Sequence, residues 1–107
     1  MVKQYEIYWV SLDPTQGSEI RKTRPCLVIS PNEANKYLKT VLMAPITSRI
    51  RKFPMRTDIL LKKKKGQIAL DQIRCVDKSW LANKIRTLTK PEIKILRLVL
   101  KEFLIDE

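Results

Sequence analysis

The chain has 107 residues, 22 of them Lys or Arg against 11 Asp or Glu, for a formal net charge of +11; 44% of it is apolar and only two residues are glycine. That size and composition describe one folded domain with a modest core and exclude a disordered chain. No apolar run approaches the ~18 residues of a membrane helix, and the start Met1-Val2-Lys3-Gln4-Tyr5-Glu6-Ile7 lacks the apolar stretch of a signal peptide, so a cytoplasmic protein without membrane contact is expected.

Tyr5 to Leu12, rich in aromatic and β-branched residues, predicts a first strand that Asp13-Pro14 ends, and Thr15 to Thr23 reads as a polar loop. Arg24 to Ile29 predicts a second strand. Leu27, Val28 and Ile29 in series fit a strand buried on both faces. Pro25 has no N–H for a sheet ladder, so it belongs at the first residue of that strand or on an edge. It also pushes Arg24 into extended geometry, which holds the arginine stiffly at the mouth of the strand.

Ser30-Pro31-Asn32-Glu33 has the pattern of a capping box with proline at the first helical position, and predicts a short helix over Pro31 to Tyr37. Lys39 to Thr47 predicts a third strand, interrupted by Pro45. Arg49 to Arg56 is a second polar loop and Asp58 to Leu61 a fourth strand. The run Lys62–Lys65 with Gly66 reads most simply as a solvated turn, with phosphate contact as the second reading, Gln67 to Val76 as a fifth strand and Lys84 to Leu88 as a sixth. Thr89-Lys90-Pro91-Glu92 is a second capping box and opens one long helix, Lys90 to about Ile105, on which Ile93, Leu96, Leu100, Phe103 and Leu104 recur near helical spacing. Leu98 and Val99 widen its apolar face, which a second copy of the chain would cover. Several short strands and one terminal helix describe a small, partly open antiparallel barrel, mainly β with α.

Cys26 and Cys75 both sit in apolar segments with no Cys-x-x-Cys spacing, which predicts two buried thiols with neither disulfide nor metal. A nucleophilic cysteine usually works with a histidine, and the chain has none. The charge is unevenly spread. From Thr89 onward Lys90, Lys94, Arg97 and Lys101 balance Glu92, Glu102, Asp106 and Glu107, whereas between Arg49 and Lys65 eight basic residues face only Asp58. A field concentrated in this way fits a polyanion, nucleic acid before membrane, and an anionic protein would fit it too. Phe53, in the basic loop, is a candidate for stacking on a base.

Four segments in order carry a resemblance: Leu12-Asp13-Pro14 followed by Gly17-Ser18-Glu19-Ile20; Thr23-Arg24-Pro25; Pro45-Ile46-Thr47-Ser48; and Lys65-Gly66-Gln67-Ile68 leading into Asp71-Gln72-Ile73-Arg74. Together they resemble the MazF/PemK/Kid family of toxin–antitoxin endoribonucleases over nearly the whole chain. The resemblance implies an SH3-like barrel of the CcdB/PemK type with a C-terminal helix and a homodimer. It implies metal-independent, sequence-specific cleavage of single-stranded RNA that inhibits translation and growth, without a cofactor. It also implies a cognate antitoxin that blocks the RNA groove, with DNA met only indirectly through the antitoxin complex. Arg24 and Thr47 match the family's catalytic arginine and threonine; Glu19, Ser48, Asp71 and Gln72 match positions lining the same groove, with Asp71 the expected proton acceptor. Arg74 joins Glu19, Ser48, Phe53 and Gln72 as an expected RNA contact. Some relatives carry a histidine where this chain has Ser18 and an arginine where it has Ala69, so a proton relay built on those residues does not transfer.

The chemistry suits the residues. A guanidinium is always charged and presents a rigid fork of donors, so Arg24 can neutralise charge growing on a phosphoryl oxygen, and the Thr47 hydroxyl can donate to the same phosphate. Two alternatives use the same barrel. A gyrase-poisoning toxin of the CcdB type acts through a C-terminal Trp-Gly-Ile, but this chain has Phe103-Leu104-Ile105-Asp106-Glu107 there, with its tryptophans at Trp9 and Trp80. The other is a non-catalytic RNA-binding barrel, such as a degraded family member, and the intact Arg24, Thr47 and Asp71 speak against degradation.

Overall fold

The structure, a computed structural model, describes residues 1–12 and 23–106. Seven strands, β1 (Glu6–Ser11), β2 (Thr23–Val28), β3 (Thr40–Thr47), β4 (Arg56–Leu61), β5 (Lys64–Ala69), β6 (Arg74–Asp77) and β7 (Leu81–Thr87), join two helices, α1 (Asn32–Tyr37) and α2 (Lys90–Leu104). Every pairing is antiparallel, in the order β4-β5-β3-β2-β1-β7, with β6 on the outer side of β3. The sheet curls into a half-barrel: Arg86 on β7 donates to the Leu60 carbonyl on β4 at 3.1 Å, so the two ends of the strand order meet across a seam. Among the described residues, no helix is long and apolar enough to cross a membrane.

β2 is buried on both faces, as its apolar run predicts. Cys26 and Val28 pack with Val10, Val41, Met43 and Val76 on one side. Leu27 and Ile29 pack with Ile7, Ile46, Ile68 and Leu96 on the other, beneath α2. The prolines fall where a ladder is incomplete. Pro25 faces Trp9 on β1, but β2 meets β3 only from Cys26 onward, so among the described residues its other edge is bare over Thr23–Pro25. Pro45 does not interrupt β3. It lies between Met43, where the pairing with β6 ends, and Ile46, where the pairing with β5 begins. A residue without an N–H costs little at such a break.

Four expectations are corrected. The capping box before α1 does not form: Pro31 occupies the cap without a side-chain bond. The Ser30 hydroxyl instead serves the fully buried Asn35 and accepts from the Leu42 N–H at 3.0 Å. The lysine run is not all turn: Lys62 and Lys63 alone make it, and Lys64, Lys65 and Gly66 belong to β5. The single fifth strand is two, β5 and β6, separated by a 3₁₀ turn at Leu70–Gln72. Cys75 is exposed, whereas Cys26 is buried, because among the described residues β6 pairs only with β3 and turns Arg74, Cys75 and Asp77 outward, leaving Val76 for the core.

The second capping box forms as its sequence predicts. Thr89 Oγ1 accepts from the Glu92 N–H, and the Glu92 carboxylate accepts from the Thr89 N–H at 2.8 Å. The same carboxylate holds Arg86 bidentately at 2.7 and 2.8 Å, which brings its pKa down to about 2. A folded pKa below the unfolded one adds stability that is complete above the unfolded value and lost as pH falls through the folded one. Glu92→Gln keeps the cap geometry and removes the charge, so it should cost about 1 kcal/mol at pH 7. In urea titrations that difference from the parent should shrink as pH falls from about 4.5 to about 2.

Candidate nucleic-acid interface

A groove of about 690 Å³ opens on the surface of the half-barrel. Trp9, Arg24 and Pro25 from β1 and β2 form one wall, the β3 end with Thr47, Ser48 and Arg49 another, and Lys62, Lys64, Lys65 and Gly66 from the β4–β5 hairpin a third. Leu61 and Ile85 supply apolar floor. The bare edge of β2 explains the exposure of Arg24, which is extended next to Pro25 with its side chain outside the sheet.

Thr47 is the last residue of β3 and half-buried. Its Oγ1 accepts the Arg49 N–H at 3.1 Å, so the hydroxyl hydrogen remains to be donated to a ligand. Gly66 allows the close approach of β5: a Cβ there would stand 3.1 Å from the Thr47 carbonyl oxygen and 3.3 Å from Ile46 Cγ2. Thr47, Gln67 and Asp58 lie in one row across β3, β5 and β4. Gln67, only 5% exposed, uses its amide to pin the basic loop above that row. Its Oε1 accepts the Arg51 N–H at 2.9 Å, and its Nε2 donates to the Arg51 carbonyl and to Asp58, both at 3.0 Å.

The structure thus brings Arg24, Thr47 and Ser48 to one groove. It takes Asp71 elsewhere: the carboxylate receives Arg56 Nε at 2.7 Å and Nη2 at 3.0 Å, and that guanidinium holds its pKa below the usual carboxylate range. A carboxyl lowered in this way is a poor base near neutral pH. Phe53, 48% exposed, rests against Arg56, whose guanidinium carbon is 5.3 Å from the ring centroid. Phe53, Gln72 and Arg74 do not line the groove, and Glu19 lies outside the described residues. Arg74, opposite Met43 on β3, and Arg24 both add a positive field at the Cys26 thiol. Burial outweighs them and pushes that thiol up to about 12, so Cys26 offers no thiolate.

The sequence reading did not name Trp9, Arg49, Lys62, Lys64, Lys65 or Gln67 as site residues. Lys62–Lys65 stood out as a solvated turn with phosphate contact as the second reading, and what joins it to Arg24 is the curl of the β4–β5 hairpin towards β1. Among the described residues, no three His, Cys, Asp or Glu side chains converge as a metal site would require.

Residues 3–104 match the profile of the family described as PemK-like, MazF-like toxins of type II toxin–antitoxin systems. Solved structures agree in fold. The Mycobacterium tuberculosis toxin MazF-mt6 is 19% identical with a TM-score of 0.77, over 91% of this chain and 93% of that one. A mycobacterial endoribonuclease in complex with its cognate antitoxin is 18% identical with a TM-score of 0.83, over 97% and 95%. MazF from Deinococcus radiodurans is 24% identical with a TM-score of 0.76, over 96% of each chain.

Proposed function

This chain belongs to the PemK-like, MazF-like toxin family of type II toxin–antitoxin systems, and from that premise we propose that it is a metal-independent endoribonuclease acting on single-stranded RNA. The observation that carries the reading is the meeting of Arg24 and Thr47 in one basic groove open enough for a nucleic-acid strand. In the reaction a ribose 2′-oxygen attacks the adjacent phosphorus, the bond from phosphorus to the 5′-oxygen breaks, and negative charge grows on the non-bridging oxygens. Arg24 neutralises that charge with a rigid fork of donors. Thr47, its oxygen already engaged by the Arg49 N–H, turns its hydrogen to the same phosphate.

Proton removal is the weak step in a chain without histidine. Asp71 is committed to Arg56, so in this reading it anchors the start of β4, and proton transfer is assigned to Glu19, the other carboxylate that the family resemblance marks. Positioning and electrostatics then supply most of the acceleration. Lys62, Lys64, Lys65 and Arg49 hold the strand by its phosphates.

Two protein partners belong to the proposal. The basic groove suits an acidic antitoxin segment lying where RNA would lie. Ile95, Leu98 and Leu104 on α2 are exposed, and a second copy of the chain would cover them to make a homodimer.

The experiment uses the purified protein with a long, mixed-sequence single-stranded RNA in EDTA, resolved on a denaturing gel. Discrete fragments are expected. RNA that stays intact in EDTA but is cut when Mg²⁺ is added would overturn metal independence, and RNA intact in both conditions would overturn the nuclease reading.

A further inference from the structure

The turn between β4 and β5 is built from residues that do not suit it. Leu61 pairs with Lys64, so the hairpin has a two-residue loop, Lys62-Lys63. Both residues have positive φ, 48° and 68°, the left-handed region that such a loop requires and that Asn-Gly fills with least strain. Lysine brings no turn chemistry, and four exposed lysines in sequence repel one another. Neither backbone geometry nor burial accounts for them.

Their placement does. The Lys62 ammonium stands 6.0 Å from the centre of the Trp9 ring, and Trp9 faces Pro25, the neighbour of Arg24, across the β1–β2 ladder. Lys62, Lys64 and Lys65 line the same groove as Arg24 and Thr47. Positive charge is therefore present on the groove both at Arg24 and, past Trp9, on the hairpin that the Lys62-Lys63 turn closes. A single phosphate needs only Arg24 and Thr47. A charge track that continues beyond them matches the repeated phosphates of a strand.

We propose that the Lys62-Lys63 turn is a second phosphate-binding subsite, which takes the backbone of the RNA strand beyond the linkage held by Arg24 and Thr47. The subsite rests on the reading of the groove as an RNA channel. It acts on affinity and on the length of RNA engaged, since it stands apart from the attacked phosphorus. The strain of the two left-handed lysines is the cost of placing two cations at the tip of a tight hairpin.

The test is the double variant Lys62→Asn/Lys63→Gly, which installs the preferred turn and removes both charges. The probe is a 20-nucleotide single-stranded RNA of mixed sequence with 2′-O-methyl riboses, which cannot be cleaved by 2′-oxygen attack. Affinity is measured across a salt series, and Lys94→Gln/Lys101→Gln on α2 serves as a control of equal charge loss away from the groove. The expected result is a melting temperature about 5 °C above the parent, because turn strain is relieved. Affinity should fall roughly 25-fold at 0.1 M salt, with a salt slope shallower by about 1.4, or ~0.7 for each lost phosphate contact.

An unchanged slope and affinity in the turn variant would overturn the subsite while leaving the RNA groove standing. An equal loss in the α2 control would overturn it too, by reducing the effect to net charge. A melting temperature below the parent's would remove the strain argument. If the parent itself binds this RNA at no salt concentration, the RNA reading of the groove falls first, and the subsite with it.

Discussion

Arg24→Ala should lower the rate of RNA cleavage by about 10²–10³ while leaving the melting temperature within about 2 °C of the parent. The two halves of that expectation come from the same geometry. Arg24 stands on the bare edge of β2 with its side chain exposed, so little packing depends on it. It lines the groove with Thr47, and under the proposed function it is the donor fork that meets the linkage to be broken. Arg24→Lys should recover only a small part of the activity, because an ammonium is a point charge and cannot span two phosphate oxygens. Single-turnover cleavage of a fixed RNA, with thermal melting on the same preparations, gives both numbers. Cleavage by Arg24→Ala at the parental rate would remove Arg24 from the chemistry, and a collapsed melting temperature would make its role structural.

Leu96→Ala should have the opposite profile. Leu96 is 1% exposed and is the α2 side chain fully buried in the core beneath the helix, among Ile7, Leu27, Ile29, Ile46 and Ile68. Removing its branched end leaves a void between helix and sheet, which costs about 3 kcal/mol. For a domain whose whole stability is ~5–15 kcal/mol, the melting temperature should fall by roughly 15 °C. Well below that melting point, cleavage per folded molecule should stay near the parent's, because Leu96 itself does not line the groove. A loss of less than about 1 kcal/mol in urea unfolding would show that α2 is not held to the sheet by this residue.

The sequence made some of this molecule legible and hid the rest for identifiable reasons. The long helix was readable because its start carries a complete chemical signature, Thr89 and Glu92 answering each other across one turn, and its core stripe follows helical period. β2 was readable because an apolar run opened by proline admits few other geometries. The division of the fifth strand at Leu70–Gln72 was not, since Ile68-Ala69-Leu70 and Ile73 form an apolar pattern with no glycine or proline to mark the break. Nor was the exposure of Cys75, which follows from β6 having a partner on one side only.

In the site, Arg24 and Thr47 were marked by their position at strand ends and by the motifs around them. The Asp71–Arg56 pair depends on register: Arg56 lies opposite Ala69, two residues before Asp71, and nothing local to either residue announces that neighbour. The lysines of the β4–β5 hairpin were visible as charge. Their convergence on Trp9 and Arg24 required the three-dimensional curl.

The pairing of β1 has a consequence for the order in which the chain becomes competent. One edge of β1 is filled by β2, close by in sequence, and the other by β7, through Ile7 with Arg86 and Glu6 with Thr87. Pairs so distant in sequence form late, because the intervening chain must first be gathered. Trp9 in the groove comes from the first of these strands and Ile85 from the last. During synthesis from the N-terminal end, the groove therefore stays incomplete until residues beyond Ile85 have been made and the sheet has closed on β1. Topology alone makes the groove one of the last features of the chain to be completed.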